Sequence, residues 1–222
     1  MAGTSTNGVE MLINPPVIGI LRGIDEEFFG EVMQVAFAAG LAALEVTMNT
    51  RNAVKMIADF RPAVPGGKLL GMGTVRNISE ARRALDAGAM FLVTPNCDTE
   101  VIEFAASQGI PVISGALTPT EVWTAWSAGA ALVKVFPVKS LGGPAYIREL
   151  KGPYDKVKLI AVGGVTRSNV REYFEAGADG VGVGNTLFGG RALEERDLAA
   201  IGESVRSFLA AATADDEHGM RT

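Results

Sequence analysis

The chain has 222 residues, enough for one domain or two small ones, and 48% of them are apolar, so a core is available and disorder is not the default. Its 20 basic and 25 acidic side chains give a formal charge of −5, which argues against coating nucleic acid or an anionic membrane. One cysteine (Cys97) and one histidine (His218) leave no intramolecular disulfide, no Ser-His or Cys-His nucleophile pair and no His/Cys zinc site to be expected.

Residues 1–16 carry no Lys or Arg and no leader-like apolar run, and are expected to form an N-terminal extension or helix. No stretch reaches the ~18 apolar residues of a membrane span, so a cytoplasmic protein without a membrane partner is expected. From residue 17 onward, short apolar runs recur. They are VIGIL (17–21), ALEVT (43–47), LLGMGTV (69–75), FLVTP (91–95), PVISGA (111–116), LVKVFP (132–137), KLIAVGG (158–164) and GVGVG (180–184). Near-continuous apolarity over so few residues predicts parallel strands covered on both faces.

Helical patterns alternate with these runs, as in EEFFGEVMQVAFAAG (26–40), ISEARRALDAG (78–88) and TPTEVWTAWSAG (118–129). Ser79 is a candidate N-cap for the second and Thr118 or Thr120 for the third, while Trp123 and Trp126 read as core or interface packing. Gly40, Gly88, Gly129 and Gly177 each follow Ala and precede a strand, the place where a helix ends in a left-handed residue. Eight strand–helix units predict a single-domain (β/α)8 barrel over 17–212, followed by a disordered tail over 213–222. A doubly wound open sheet is the alternative, weakened by the absence of GxGxxG after the first strand and of any P-loop.

Barrel chemistry gathers at the C-terminal strand ends, where inward side chains alternate with outward ones. Lys134 interrupts the sixth strand and shares a face with Leu132 and Phe136. Burial penalises its charged form, and a neutral amine is what imine formation needs. Glu45 interrupts the second strand in the same way, and a carboxylate beside that amine is a proton carrier. A buried ion pair fixing the packing is the plainer reading. Gly163-Gly164 ends the seventh strand, and Gly184-Asn185 begins a turn after the eighth, the corner where barrels hold phosphate on backbone N–H groups. Asn185 or Thr186 is available to cap the short helix there or to donate to a phosphate oxygen. Thr74 offers a hydroxyl at the third strand end, and Arg22 offers an anion partner after the first.

In order, GILRGI, LEVTMNT, GMGTV, VTPN, TPTE, KVFP, GGPAYI, AVGGV and GVGNTLF resemble the class I aldolases for 2-keto-3-deoxy-6-phosphogluconate and 2-keto-3-deoxy-6-phosphogalactonate, over roughly 17–190. The resemblance implies a homotrimeric barrel, needing neither metal nor cofactor, that cleaves a phosphorylated keto sugar acid to pyruvate and glyceraldehyde 3-phosphate. It makes Lys134 the Schiff-base residue and Glu45 the general acid/base. Thr74 then meets the pyruvate carboxylate, and Pro95 and Phe136 shape the pocket. Gly163, Gly164, Gly184 and Asn185 hold the phosphate, with Asn185 standing where many gluconate-type members have serine. Asn49, counted with the substrate-binding residues, stands where that type has a carboxylate-binding arginine, and Arg22 is the expected substitute for that arginine. Asn49, ILRG and Gly142-Gly143-Pro144 look more like the galactonate-type branch. Cleavage of unphosphorylated 4-hydroxy-2-oxoglutarate and a non-catalytic phospho-sugar-acid sensor are the competing readings.

Overall fold

A computed structural model describes residues 17–213. Eight parallel strands close into a barrel in chain order: β1 (Val17–Leu21), β2 (Ala43–Thr47), β3 (Leu69–Gly73), β4 (Leu92–Val93), β5 (Val112–Ala116), β6 (Leu132–Val135), β7 (Leu159–Val162) and β8 (Gly180–Val183). Strand β8 returns to β1 with Val17 beside Val181, so no sheet edge is left to pair with another chain. The helices are α1 (Glu26–Ala38), α2 (Ala53–Phe60), α3 (Ile78–Asp86), α4 (Thr99–Ser107), α5 (Pro119–Ser127), α6 (Pro144–Lys151), α7 (Val170–Glu175), α8 (Asn185–Phe188), α9 (Gly190–Glu194) and α10 (Leu198–Thr213).

The barrel expected from the eight apolar runs is present, and the open sheet is not. Strands β1, β2 and β5 end with their apolar runs, whereas β3, β4, β6, β7 and β8 end one or two residues earlier, because the last residues of those runs turn over the barrel mouth. Helix α10 runs to Thr213, the first residue of the expected tail; the rest of that tail and the expected N-terminal extension lie outside the described residues.

Alternation along the strands sorts the core into two layers. Ile18, Ala43, Leu69, Phe91, Ile113, Leu132 and Ile160 fill the barrel axis. Outward residues such as Leu44, Met72, Val133 and Val135 join the helices in a second, larger cluster. Glu45 and Lys134 lie two residues above Ala43 and Leu132, so the period of two turns both into the barrel. The apolar layer beneath them is its floor.

The capping details differ from the sequence reading in one case. Helix α3 is capped by Asn77, whose side chain accepts from the Glu80 N–H, rather than by Ser79. Asn77 sits one residue before the helix, where a side-chain oxygen reaches the free N–H groups; Ser79 is already inside it. Helix α5 carries a full capping box, Thr118 with Glu121. Trp126 packs against the outer core, whereas Trp123 stays 53% exposed and stacks on Tyr154 at 5.8 Å between ring centroids.

Candidate active site

Strand β6 sets Lys134 beside Gly115 of β5 and Ile160 of β7, and β2 sets Glu45 beside Ile20 of β1 and Gly71 of β3. Both side chains are buried, Lys134 at 6% and Glu45 at 2% exposure. Room for the Glu45 carboxylate comes from Gly73, where a Cβ would stand 2.3 Å from Glu45 Oε1. An alanine there would evict the carboxylate.

Neither Glu45 nor Lys134 makes a hydrogen bond or close ion pair among the described residues. No hydrogen bond therefore fixes either group in its charged form. Burial pushes the Glu45 carboxyl up to about 7, with the nearby positive charges of Lys134 and Arg22 opposing it. Burial also pulls the Lys134 ammonium down from its ordinary value; Glu45 works against this and Arg22 with it. The Lys134 Nζ lies 4.8 Å from the centroid of the Phe136 ring. An amine and a carboxyl, each moved toward neutral pH, share one enclosure.

That enclosure is a cavity of about 560 Å3 at the barrel mouth. Every candidate site residue of the sequence reading lines it except Asn49: Lys134, Glu45, Arg22, Thr74, Pro95, Phe136, Gly163, Gly164, Gly184 and Asn185. Asn49 stands on the neighbouring cleft. Its Oδ1 accepts from Arg22 Nη1 at 2.9 Å, while Arg22 Nη2 donates to Thr74 Oγ1 at 3.2 Å. The guanidinium is thus stretched between two loops, with its remaining N–H groups free for an anion. Thr74 holds its end of this bridge at φ 55°, a left-handed conformation that β-branched residues rarely adopt and that costs about 1–3 kcal/mol.

Apart from Arg22, Glu45 and Lys134, no charged side chain among the described residues lines the cavity. Gly163 and Gly164 take φ 99° and 85°, turning the end of β7 back over the cavity. Gly184 precedes α8, but neither Asn185 nor Thr186 caps that helix. The Thr186 hydroxyl donates instead to the Val165 carbonyl at 3.2 Å, tying the last two loops together. Thr166 also lines the cavity and escaped the sequence reading, since a hydroxyl just past Gly-Gly carries no pattern of its own. Among the described residues no group of three His, Cys, Asp or Glu side chains converges.

Fold and cavity together define a (β/α)8 barrel with an amine and a carboxyl sequestered at its mouth, the equipment of carbonyl chemistry through an imine. The family model described as KDPG and KHG aldolase matches residues 9–204, and the chain belongs to that family. It is 37% identical to the 2-dehydro-3-deoxy-6-phosphogalactonate aldolase of Escherichia coli (strain K12), over 78% of this chain and 84% of that protein. It is 34% identical to a probable enzyme of the same name from Rhizobium meliloti (strain 1021), over 78% and 82%. A solved structure described as native KDPGal superposes with a TM-score of 0.81 at 33% identity, covering 88% of this chain and 93% of that one. The KDPG aldolase of Legionella pneumophila, with pyruvate captured as a covalent carbinolamine, superposes at 0.83 with 25% identity, over 90% and 97%.

Proposed function

We propose that Lys134 and Glu45 carry out class I aldolase chemistry on a 2-keto-3-deoxy-6-phospho sugar acid, releasing pyruvate and glyceraldehyde 3-phosphate. The protein is an aldolase, a carbon–carbon lyase. The observation that carries the residue assignment is the Lys134–Glu45 couple, buried, without a hydrogen bond among the described residues and open to one cavity.

Neutral Lys134 adds to the C2 carbonyl, and Glu45 in its acid form donates the proton that lets the carbinolamine lose water. The resulting iminium draws electrons from the C3–C4 bond as the C4 hydroxyl gives its proton to the Glu45 carboxylate. That bond breaks, the aldehyde leaves, and the enamine regains a proton at C3. Water then releases pyruvate and restores the amine. A carboxyl titrating near 7 is equally available as acid and as base at neutral pH, which suits a cycle that uses it in both directions.

Arg22, held by Asn49 and Thr74, faces the substrate C1 carboxylate, and the Gly163-Gly164 and Gly184-Asn185 turns face the phosphate. Asn49 and the names of the two relatives above favour the galactonate epimer. A homotrimer in the cytoplasm is part of the same reading and rests on the family resemblance; among the described residues no helix is long and apolar enough to cross a membrane.

Borohydride reduction in the presence of pyruvate tests the assignment. A pyruvate-sized adduct on the peptide bearing Lys134 is expected. Protein left unmodified at saturating pyruvate overturns it. The ratio of kcat/KM for the two phosphorylated epimers then reads the stereochemical preference.

A further inference from the structure

Among the described residues, the phosphate corner has glycine turns and amide groups on its wall but no cation. Cations on the loops beside it are already engaged: Arg167 donates to Ser207 Oγ at 2.7 Å, Arg191 pairs with Glu195 at 2.8 Å, and Arg196 pairs with Asp25. Lys139 is the exception. It lies in the 3-10 turn Val138–Leu141 that follows β6, and its ammonium meets no acceptor or carboxylate among the described residues.

Its stem is placed by the same turn that makes the corner. The Lys139 N–H donates to the Gly163 carbonyl at 3.2 Å, fixing the backbone to the end of β7. The side chain then runs across Gly164, so closely that a Cβ on Gly164 would stand 2.6 Å from Lys139 Cδ. The ammonium sits two bonds beyond that carbon, within reach of an anion held on the Gly163-Gly164 turn. Nothing in the packing of the stem needs a charge at its tip.

We propose that Lys139 is the cation of the phosphate subsite and sets how strongly this enzyme prefers phosphorylated over unphosphorylated 2-keto acids. The proposal rests on the reading of this corner as a phosphate site. A dianion held by backbone N–H groups keeps most of its charge uncompensated, and a flexible ammonium at the rim offsets it while staying solvated in the free enzyme. The contribution is electrostatic and partly exposed, so added salt weakens it.

The test compares wild type with Lys139→Met, which keeps the stem over Gly164 and removes the charge, and with Lys139→Arg, which restores it. The readout is the ratio of kcat/KM for the phosphorylated acid to that for 4-hydroxy-2-oxoglutarate. Inorganic phosphate serves as a competitive probe of the corner. The ratio is expected to fall about tenfold in Lys139→Met, through KM for the phosphorylated acid, and to recover in Lys139→Arg. Inhibition by inorganic phosphate is expected to weaken by a similar factor, and both effects to shrink at high salt. A ratio and a phosphate inhibition within twofold of wild type would overturn the role of Lys139 alone. A wild type with no preference for the phosphorylated acid would overturn the phosphate reading itself, and Lys139 with it.

Discussion

Two lysine–carboxylate couples sit at opposite ends of this barrel, and they are built on opposite plans. At the floor, Asp179 before β8 accepts from Lys151 at 2.7 Å, Lys158 at 2.9 Å and the Leu159 N–H at 2.9 Å, and Lys151 also donates to the Val157 carbonyl. Burial alone would raise the Asp179 carboxyl, but these donors outweigh it and hold the group below its ordinary value. At the mouth, Glu45 and Lys134 are more deeply buried and make no hydrogen bond or close ion pair among the described residues. The same two residue types thus give a fixed charge pair in one place and a proton-exchanging pair in the other. What separates them is whether hydrogen-bond partners were supplied.

The sharpest way to break the comparison is to substitute members of each couple. Lys134→Met is expected to lower turnover by at least ~10^4-fold and to abolish borohydride trapping with pyruvate, while the barrel stays folded. Measurable imine chemistry in that variant would place the nucleophile elsewhere. Glu45→Gln is expected to cut kcat by ~10^2–10^4-fold and still trap pyruvate on long incubation, because the amine remains. At the floor, Asp179→Asn is expected to leave kcat and KM alone and to cost about 2 kcal/mol of unfolding free energy in urea. A loss of activity without a loss of stability there would erase the distinction between the two couples.

The mouth half of this contrast is legible in the sequence. Lys134 and Glu45 stand out because a charged residue inside an apolar strand has no cheap explanation, and a period of two then places both inward. The glycine corners are legible as glycine clusters at strand ends, although only Gly163 and Gly164 take positive φ, while Gly184 stands at φ −88°. The Asp179 network was not read, since an aspartate after Gly-Ala looks like any loop residue until Lys151 and Lys158 are brought to it from 28 and 21 residues away. Asn77 was overlooked as a cap in favour of Ser79, a difference of two residues that only backbone geometry decides. Asn49 was read as touching substrate, but the fold sets it one shell further out, against Arg22.

The two ends also answer pH in opposite senses. Asp179 titrates lower in the folded chain than in the unfolded one, so its contribution is present above its ordinary value of 3.8 and is lost as pH falls through that range. Glu45 titrates at about 7 when folded against 4.5 when free, so the unfolded chain gives up this proton first. Stability therefore declines as pH rises from about 4.5 to about 7, by something on the order of 3 kcal/mol for this group. Glu45→Gln is expected to remove that decline, gaining on wild type at pH 8 relative to pH 5 in matched urea titrations. Parallel curves for the two proteins would mean that Glu45 is already ionised in the folded state at pH 5.

Asn49 gives the smallest effect and the finest division. It does not line the cavity, so any influence on catalysis passes through Arg22. Asn49→Ala removes one of the two acceptors that stretch the guanidinium over the mouth and leaves the Thr74 contact in place. Two consequences follow from the loosened cation. KM for pyruvate in the trapping reaction should rise about three- to tenfold, the worth of one charge-assisted hydrogen bond partly exposed to water. The acid limb of the kcat profile should move upward, because Arg22 is one of the positive charges restraining the rise of the Glu45 carboxyl, and a cation that wanders restrains it less. A weakened KM with an unmoved acid limb would confine Arg22 to holding the carboxylate. A shift of both would make Arg22, through Asn49, part of what keeps the mouth couple poised near neutrality.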